Sequence, residues 1–361
     1  MKFIDEFRSE KSARRLSEAI RNRAGITEMT FMEVCGTHTM AIARNGIREL
    51  LPENVTLISG PGCPVCVTPN QTIDRAIALS RLPDTVIATF GDMMKVPGSH
   101  SSLDREHARG GNIRVVTSTL EALAIAEKEP KKKVVFLGVG FETTTPTVAV
   151  ALKEARRKKI ANFFILSAHK VMPPAMKALS DLGVKIHGYL CPGHVSAIIG
   201  SQPYDFLPAE YGIGCVVAGF EPLDIMQALL MLVEQVRSGT PSVQVQYSRA
   251  VKAEGNPTAR RIMDEVFEPC ASEWRGLGWI PRSGLKIRDV YSDWDTERQI
   301  PVEVEPSQEP KGCLCGGVLR GEVKPPECSH FGKKCTPDNP VGPCMVSSEG
   351  TCAAYFKYYQ M

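Results

Sequence analysis

The stretch Ser59-Gly-Pro-Gly-Cys-Pro-Val-Cys66 decides the expected architecture, because it follows a short apolar run and precedes a helix-like run. The stretch Glu33-Val-Cys-Gly-Thr-His-Thr-Met40 holds the same position after an earlier apolar run. We therefore expect Cys35, Cys63 and Cys66 at strand-to-helix turns on one rim of a parallel sheet. Ligands bind at that rim, and helix N-termini there favour thiolate over thiol. The pattern predicts a metal-handling or redox-active thiol site.

Composition indicates a soluble globular protein of two or three domains, with 361 residues, 43% apolar and 23% charged. The net charge of +3 comes from 43 basic and 40 acidic residues mixed along the chain, which gives no electrostatic case for nucleic acid. The first residues lack the apolar region of a signal peptide, and no stretch approaches the roughly 18 to 20 apolar residues of a membrane span. We expect a cytoplasmic protein with no membrane partner.

The chain contains twelve cysteines, which are many for a reducing compartment where structural disulfides are disfavoured. Metal binding or redox work is therefore the better interpretation. Half of the cysteines are concentrated in a separate C-terminal tail: Cys313, Cys315, Cys328, Cys335, Cys344 and Cys352.

Apolar strands alternate with helical runs from residue 29, which predicts parallel sheets with helices on both faces. After the charged linker at 129–133 the same order restarts about 100 residues later, an approximate internal repeat. We expect an α/β protein of two similar doubly wound lobes facing a cleft, plus a third cysteine-rich α+β unit. The lobes are predicted at 25–128 and 129–245, and the third unit at 1–24 plus 246–361. The candidate strands are 29–34, 55–59, 85–90, 113–117, 134–139, 162–166, 184–190 and 215–218.

The pair Cys63-Pro-Val-Cys66 suits either reversible disulfide formation or bidentate metal binding, and a purely structural role is the alternative. Flanking glycines and Pro64 favour a sharp turn that leaves the sulfurs exposed. Cys35 adds a third soft ligand, and three thiolates with an open position suit a metal that is being assembled or passed on. His38 is a candidate for metal binding, hydrogen bonding or proton transfer, although a lone histidine is often only a satisfied polar residue.

Several other loop residues are expected to face the same cleft. Asp92 follows the third strand, and Cys191-Pro-Gly-His194 holds the equivalent place in the second half. Gly140-Phe-Glu-Thr-Thr-Thr-Pro146 resembles an anion cradle but lacks the Lys and glycine spacing of a phosphate loop, so we interpret it as a supporting or partner-facing loop. Cys215 and Cys270 are most simply core residues.

The six tail cysteines have no two close C-x2-4-C pairs of the kind that zinc sites favour. Their irregular spacing fits a four-thiolate iron-sulfur cluster with two thiols left over. If the spare pair is Cys315 and Cys344, a disulfide between them can accept electrons from the cluster. A structural zinc site is the alternative.

Taken together, several blocks spread over nearly the whole chain resemble one family, the hydrogenase maturation protein HypD. The blocks are Glu-Val-Cys35-Gly-Thr-His38-Thr, Gly-Pro-Gly-Cys63-Pro-Val-Cys66, Phe-Gly-Asp92-Met-Met-Lys-Val-Pro-Gly, Gly-Phe-Glu142-Thr-Thr, Cys-Gly-Gly-Val-Leu-Arg-Gly321 and Gly-Pro-Cys344-Met-Val-Ser-Ser-Glu-Gly-Thr-Cys352. The blocks are long and carry cysteines, so the resemblance is specific.

The resemblance implies a scaffold on which the iron centre of [NiFe] hydrogenase, with two cyanides and one carbon monoxide, is assembled. The implied partners are a HypC-type chaperone, which supplies a further thiolate, and a HypE-type cyanide donor. By motif match Cys35 is an iron ligand, Cys63 and Cys66 are the redox pair near it, with metal binding by the pair as the other role, and His38 and Asp92 line the site. The resemblance further implies a [4Fe-4S] cluster held by four tail cysteines, with Cys315 and Cys344 as the adjacent redox pair. Those four are Cys313, Cys328, Cys335 and Cys352.

A different function class fits part of the same pattern. A ferredoxin-linked thiol-disulfide reductase acting on a protein needs the cluster and the C-x-x-C pair, but no mononuclear iron. A zinc-dependent interaction module is the third interpretation. We expect an assembly scaffold with a redox function rather than a simple turnover enzyme.

Overall fold

The computed structural model describes residues 5–359, which fold into eleven strands and seventeen α-helices within that range. The strands are β1 (Met29–Glu33), β2 (Val55–Ser59), β3 (Thr85–Thr89), β4 (Ile113–Val115), β5 (Lys133–Gly138), β6 (Phe163–Ser167), β7 (Gly188–Pro192), β8 (Gly214–Ala218), β9 (Val243–Val245), β10 (Phe267–Trp274) and β11 (Gly278–Ile287). The helices are α1 (Glu10–Ala24), α2 (Gly36–Arg44), α3 (Ile47–Leu50), α4 (Pro64–Val67), α5 (Asn70–Ser80), α6 (Leu103–Ala108), α7 (Thr119–Lys128), α8 (Thr145–Lys158), α9 (Met172–Asp181), α10 (Gly193–Ile199), α11 (Phe206–Tyr211), α12 (Pro222–Ser238), α13 (Pro257–Val266), α14 (Thr296–Gln299), α15 (Cys315–Leu319), α16 (Pro343–Val346) and α17 (Thr351–Tyr358).

Two parallel sheets form the body of the molecule, so the predicted α/β class with two lobes is confirmed. Sheet A has the order β2-β1-β7-β8-β9, and sheet B has the order β4-β3-β5-β6. All strand pairs within each of them are parallel. All eight strands predicted from the sequence are present, although β7 begins four residues later than expected, at Gly188, because residues 184–187 form a turn.

The chain crosses between the sheets twice, and this crossing is what the sequence could not show. Helix α5 leads from β2 in sheet A to β3 in sheet B, and α9 leads from β6 in sheet B back to β7 in sheet A. Each sheet therefore takes strands from both predicted ranges, 25–128 and 129–245. The two halves of the chain thus interlock, each contributing strands to both lobes.

The internal repeat explains this interlocking. Strands β1 to β4 of the first repeat match β5 to β8 of the second. Under this match the order β2-β1-β7-β8 in sheet A becomes β6-β5-β3-β4, which is the order of sheet B read from its other edge. Strand β9 is an additional edge strand of sheet A. Equivalent helices of the two repeats also occupy equivalent positions. Helices α2 and α8 lie on the outer faces of the sheets, and α5 and α9 lie between the sheets. The topology agrees with two repeats related by an approximate two-fold axis, each giving two strands to each sheet.

Three hydrophobic clusters hold this arrangement together. The central cluster lies between the sheets and includes both crossover helices, for example through Leu79 of α5 and Met176 of α9. The second covers the outer face of sheet B with α7, α8 and α13. The third covers the outer face of sheet A with α1, α2 and α12. Helix α1 thus packs on sheet A, although the sequence grouped residues 1–24 with the C-terminal unit.

The last hundred residues wrap around the junction of the two sheets. The antiparallel hairpin β10–β11 lies against β6 and α9, where the Leu285 amide donates to the His169 carbonyl (3.1 Å). At the hairpin turn the buried Arg275 donates from its main chain to Val67 (2.8 Å) and from its guanidinium to Thr68 (3.0 Å). The cysteine tail then returns to sheet A, where α17 packs against α2. Every helix within residues 5–359 is too short or too polar to span a bilayer.

Truncating the central core should test its importance for the fold. Leu79 is completely buried in α5, so we expect Leu79→Ala to lower the free energy of unfolding by about 2 to 5 kcal/mol. The matched control is Leu182→Ala just beyond α9, where the side chain is 60% exposed and the loss should stay within about 0.5 kcal/mol. Urea denaturation of both variants measures the difference, and equal effects would contradict a packed interface between the sheets.

Candidate functional site

The two sheets present their topological switch points to each other. In sheet A the strand order reverses between β1 and β7, and in sheet B it reverses between β3 and β5. Loops that leave the carboxyl ends of strands diverge at such points and leave a crevice. Here both crevices open into one cavity of about 320 Å³, which is lined by the loops after β1, β2, β3, β5 and β7 and by two residues of the cysteine tail.

Cys35 lies at this cavity as the N-cap residue of α2, immediately after β1. Its side chain is only 7% exposed. Amide groups of Thr37 and His38 point toward the sulfur, but desolvation by burial and the nearby Glu349 carboxylate raise the pKa of the thiol to about 12. The expected preference for thiolate at this helix N-terminus is therefore outweighed by burial.

The two cysteine motifs lie in direct contact, as the sequence predicted for turns on one rim. The Gly36 amide donates to the Gly62 carbonyl oxygen (2.9 Å). A methyl group at position 62 would overlap the main chain of Val34 and Cys35, so only glycine permits this approach. The loop after β2 is thereby held against the sulfur-bearing turn after β1.

Cys63 and Cys66 are joined by a disulfide with a Cα–Cα distance of 5.3 Å. Their side chains are 4% and 0% exposed, so the prediction that the turn keeps these sulfurs exposed is wrong. Intervening residues Pro64 and Val65 line the cavity instead. The Cys66 sulfur lies 3.9 Å from the Pro343 carbonyl oxygen, next to Cys344 of the tail.

His38 lies behind the cavity wall rather than on it. Its ring is completely buried, and its Nε2 bonds to the Gly219 carbonyl oxygen (2.9 Å). Burial lowers the pKa of His38 to about 4, and Nδ1 has no hydrogen-bond partner among the described residues. The ring packs on Phe220, which also stacks on His194 with a centroid distance of 3.9 Å. His38 thus supports the residue that does face the cavity, His194.

Asp92 faces the cavity from sheet B as expected. It follows β3 in a short 3₁₀ turn, Gly91–Met93, and its Oδ2 accepts hydrogen bonds from Ser347 (3.4 Å) and Ser348 (3.2 Å). The carboxylate thus bridges sheet B and the C-terminal tail across the rim of the cavity.

Glu349 is a cavity residue that the sequence reasoning did not single out. Its Oε1 accepts a hydrogen bond from the Thr37 hydroxyl (2.7 Å), one turn from Cys35. Desolvation by burial raises the pKa of Glu349. No local sequence pattern marks Glu349 as a site residue, and only the packing of the tail on α2 brings it to the cavity.

Two buried carboxyl groups support the loops of the site. Glu33 in β1 accepts from the Thr39 hydroxyl (2.7 Å) and the Cys35 amide (3.3 Å), which fixes the turn that carries Cys35. Glu142 follows β5 and accepts from the Met172 amide at the start of α9 (2.9 Å), while its Oε2 has no partner among the described residues. Desolvation raises the pKa of each to about 7.

The tail brings five of its six cysteines together. Thiol hydrogen bonds with Cys315 and Cys352 raise the pKa of Cys344, and a hydrogen bond with Cys315 likewise raises that of Cys313. Cys335 lies close enough to Cys313 and Cys315 for their charges to raise its pKa as well, although burial is the main cause.

The sixth tail cysteine lies beside the group. The Cys328 sulfur lies 3.8 Å from the carbonyl oxygen of Gly312, the residue before Cys313. Among residues 5–359, no three His, Cys, Asp or Glu side chains already stand in a metal-binding arrangement. The donor chemistry nevertheless fits an iron-sulfur cluster, since five thiols lie together and a sixth lies beside them. Gly342 is part of this fit, because a methyl group there would overlap the sulfurs of Cys313 and Cys315.

Comparison with known proteins places these features in a family. The family model described as "Hydrogenase formation hypA family" (HypD) matches residues 11–359. The hydrogenase maturation factor HypD of Cupriavidus necator is 47% identical over 368 aligned positions, covering 99% of this chain and 97% of its own. A putative hydrogenase expression/formation protein of Methanocaldococcus jannaschii is 46% identical over 333 positions, covering 92% and 93% of the two chains.

The buried Glu142 carboxyl predicts a specific pH dependence of stability. Because its pKa is raised from 4.5 to about 7 in the folded protein, its contribution is fully present below the unfolded pKa and is lost as the pH rises through 7. Gln keeps an oxygen for the Met172 amide and carries no charge. We therefore expect Glu142→Gln to gain stability relative to the wild type between about pH 5 and about pH 8, by at most about 3 kcal/mol.

Urea denaturation at the two pH values measures this difference. Glu254→Gln, at an exposed carboxyl, is the matched control and should show no such gain. Glu33 titrates in the same direction, so the variant should reduce the pH dependence without abolishing it. A pH-independent difference between Glu142→Gln and the wild type would show that Glu142 is ionised in the folded protein throughout.

Proposed function

Because the chain belongs to the HypD family of hydrogenase maturation proteins, we propose that it is the scaffold on which the Fe(CN)2CO centre of [NiFe] hydrogenase is assembled. The single observation that carries this proposal is the convergence of five strand-end loops on one cavity with Cys35 in its wall. A cavity of about 320 Å³ has room for an iron ion with several diatomic ligands, and iron is the cargo of the site rather than its resident cofactor.

Cys35 is the proposed iron ligand. Thiolates suit low-spin iron with strong-field ligands, and iron binding displaces the thiol proton that burial otherwise holds. The amides of Thr37 and His38 at the start of α2 then offset the negative charge on sulfur and cyanide. Because Cys35 supplies only one ligand, the other coordination positions on the iron stay open. This suits a centre that is built stepwise and then transferred.

The cavity walls keep the growing centre away from bulk water. Val34, Val65, Phe90 and Phe141 line it together with the backbone of the glycine-containing turns. Among the polar groups that line the cavity, His194 is suited to donate an imidazole N–H to a cyanide nitrogen, while the Asp92 carboxylate accepts hydrogen bonds at the rim. This separation of an apolar wall from a few polar groups is typical of ligand sites.

The tail is the proposed source of electrons. Cys313, Cys328, Cys335 and Cys352 would hold a [4Fe-4S] cluster, leaving Cys315 and Cys344 as an adjacent dithiol. A bound cluster of this kind would supply single electrons at low potential. The contact between Cys66 and the carbonyl of Pro343 supports a route from the tail to the Cys63–Cys66 disulfide, whose reduction to two thiols takes two electrons and two protons.

The proposal includes two protein partners that the family resemblance implies. A HypC-type chaperone would add a second thiolate to the iron, and a HypE-type protein would deliver cyanide. The loops around Cys35 come from both sheets and from the tail, so a partner thiolate that enters the cavity is enclosed on several sides.

Infrared spectroscopy tests the assembly proposal directly. We expect the protein, purified anaerobically after co-expression with the two partners, to show bands of iron-bound cyanide and carbon monoxide. Cys35→Ala should lose all of them, because the metal has no thiolate from this chain. Cys215→Ala, which removes a buried sulfur of β8 outside the cavity, is the control that should keep them.

Absence of these bands from a protein that keeps its cluster and its partners would overturn the scaffold proposal. The thiol-disulfide reductase would then be the better function, since it needs the cluster and the disulfide but no mononuclear iron.

Absorption spectroscopy tests the assignment of the tail cysteines. Four thiolates hold a [4Fe-4S] cluster, so we expect Cys328→Ala to lose the broad absorbance near about 400 nm. Cys315→Ala should keep it, because that thiol belongs to the spare pair. If only Cys315→Ala loses the absorbance, Cys315 is a cluster ligand and Cys328 belongs to the spare pair. A colourless wild-type protein that contains zinc would show that the tail holds a zinc site instead of the cluster.

A further inference from the structure

Three consecutive residues of the tail, Ser347, Ser348 and Glu349, cross the cavity from one sheet to the other. The two serine hydroxyls donate to Asp92 at the end of β3 in sheet B. Glu349 accepts from Thr37 in the first turn of α2, beside sheet A. We call these three residues the strap.

The inner end of the strap lies against the start of α2. A methyl group on Gly36 would overlap the Glu349 side chain, so the carboxylate packs directly on the residue that follows Cys35. Glu349 thereby occupies the space in front of the α2 N-terminus, where an anionic ligand of the iron would be stabilised. With the strap in this position, the site is closed on the side of the tail.

The other end of the strap is attached to the tail dithiol. The Ser347 amide donates to the Pro343 carbonyl (3.1 Å), and Gly350 packs so closely on the main chain of Cys344 that a methyl group there would overlap it. The strap is thus a short covalent continuation of α16, which carries Cys344. Only two residues separate the end of this helix from Glu349, so a shift of the helix would also move Glu349.

The contact with Asp92 is the weakest of these attachments. Its two hydrogen bonds are long, at 3.4 Å from the buried Ser347 and 3.2 Å from Ser348, which is exposed to solvent. Exposed hydrogen bonds with little apolar packing open locally at small free-energy cost. The Thr37 contact is shorter, at 2.7 Å, and Glu349 is partly buried.

We propose that the strap is a gate over Cys35 that opens by releasing Asp92. Opening withdraws Glu349 from the α2 N-terminus, which exposes the Cys35 sulfur and the amides of Thr37 and His38. It also frees the Asp92 carboxylate to face the incoming group. The inference concerns regulation of the assembly site and in that sense rests on the proposed function, yet it can be tested on protein with no iron at Cys35.

The test is the rate at which N-ethylmaleimide alkylates Cys35 in reductant-free full-length protein that keeps its tail cluster but carries no iron at Cys35, followed by mass spectrometry of the peptide. Ser348→Ala removes one Asp92 contact without changing any charge. The net contribution of one hydrogen bond corresponds to roughly a two- to ten-fold change in an equilibrium constant, so we expect Cys35 to react two- to ten-fold faster. The double variant Ser347→Ala with Ser348→Ala should react faster still.

Two references make the result specific. Ser238→Ala, at the C-terminal end of α12, changes an exposed serine at the opposite edge of sheet A and should leave the rate unchanged. Cys215, which is 0% exposed in β8, should stay unreactive in every variant. Hydrogen exchange of the peptide around residues 345–351 should accelerate together with Cys35 alkylation.

The gate is refuted if neither serine variant alkylates Cys35 faster than the wild type. It is also refuted if Cys215 becomes reactive to the same extent, because the variants would then loosen the whole protein. Either result leaves the infrared test of assembly untouched. Conversely, absence of cyanide and carbon monoxide bands would not alter the measured opening of the strap.

Discussion

The structure depends on the burial of one apolar layer between the two sheets. Neither half of the chain can form this layer alone, because each sheet contains strands from both halves. Each repeat gives two strands to sheet A and two to sheet B, and its crossover helix, α5 or α9, lies in the layer between them. Separating the sheets would expose this layer to water, which is unfavourable in proportion to its apolar area. The two switch points are therefore held face to face, and the cavity is a consequence of the core.

Burial also sets the chemistry of the site. A sulfur at a helix N-terminus is ordinarily easier to ionise, but Cys35 is desolvated and lies near the carboxylate of Glu349, so its thiol form is favoured. An iron bound at Cys35, as proposed, would replace this proton, and the sulfur would take up a proton again when the iron leaves. The proposed scaffold, which must load and then hand over its cargo, would benefit from this balance.

Local patterns in the sequence were sufficient for the class, the repeat and eight of the eleven strands within residues 5–359, because apolar runs and turn residues act over a few positions. Loops after β1 and β3 were therefore expected at one cleft, and Cys35 and Asp92 do line it. Which sheet contains β3 depends on whether the chain after α5 returns to sheet A or crosses to sheet B. Both connections would bury the same apolar face of α5, so the sequence pattern does not distinguish them. The inward orientation of His38 and the arrival of Glu349 through the packing of α17 on α2 likewise arise only from long-range contacts.

The interlocked core also explains how thiols from distant parts of the chain are held close together. The Cys63–Cys66 loop is fixed to the Cys35 turn by the close approach at Gly62, and α16 lies against the same loop through Pro343. The electron transfer proposed for these groups would tolerate little relative motion between them. A pair of lobes joined by flexible linkers would let the tail, the disulfide and Cys35 drift apart. Because both repeats contribute to both sheets, the loops that carry these groups are anchored to one common core, whereas two hydrogen bonds to Asp92 hold the proposed strap to sheet B.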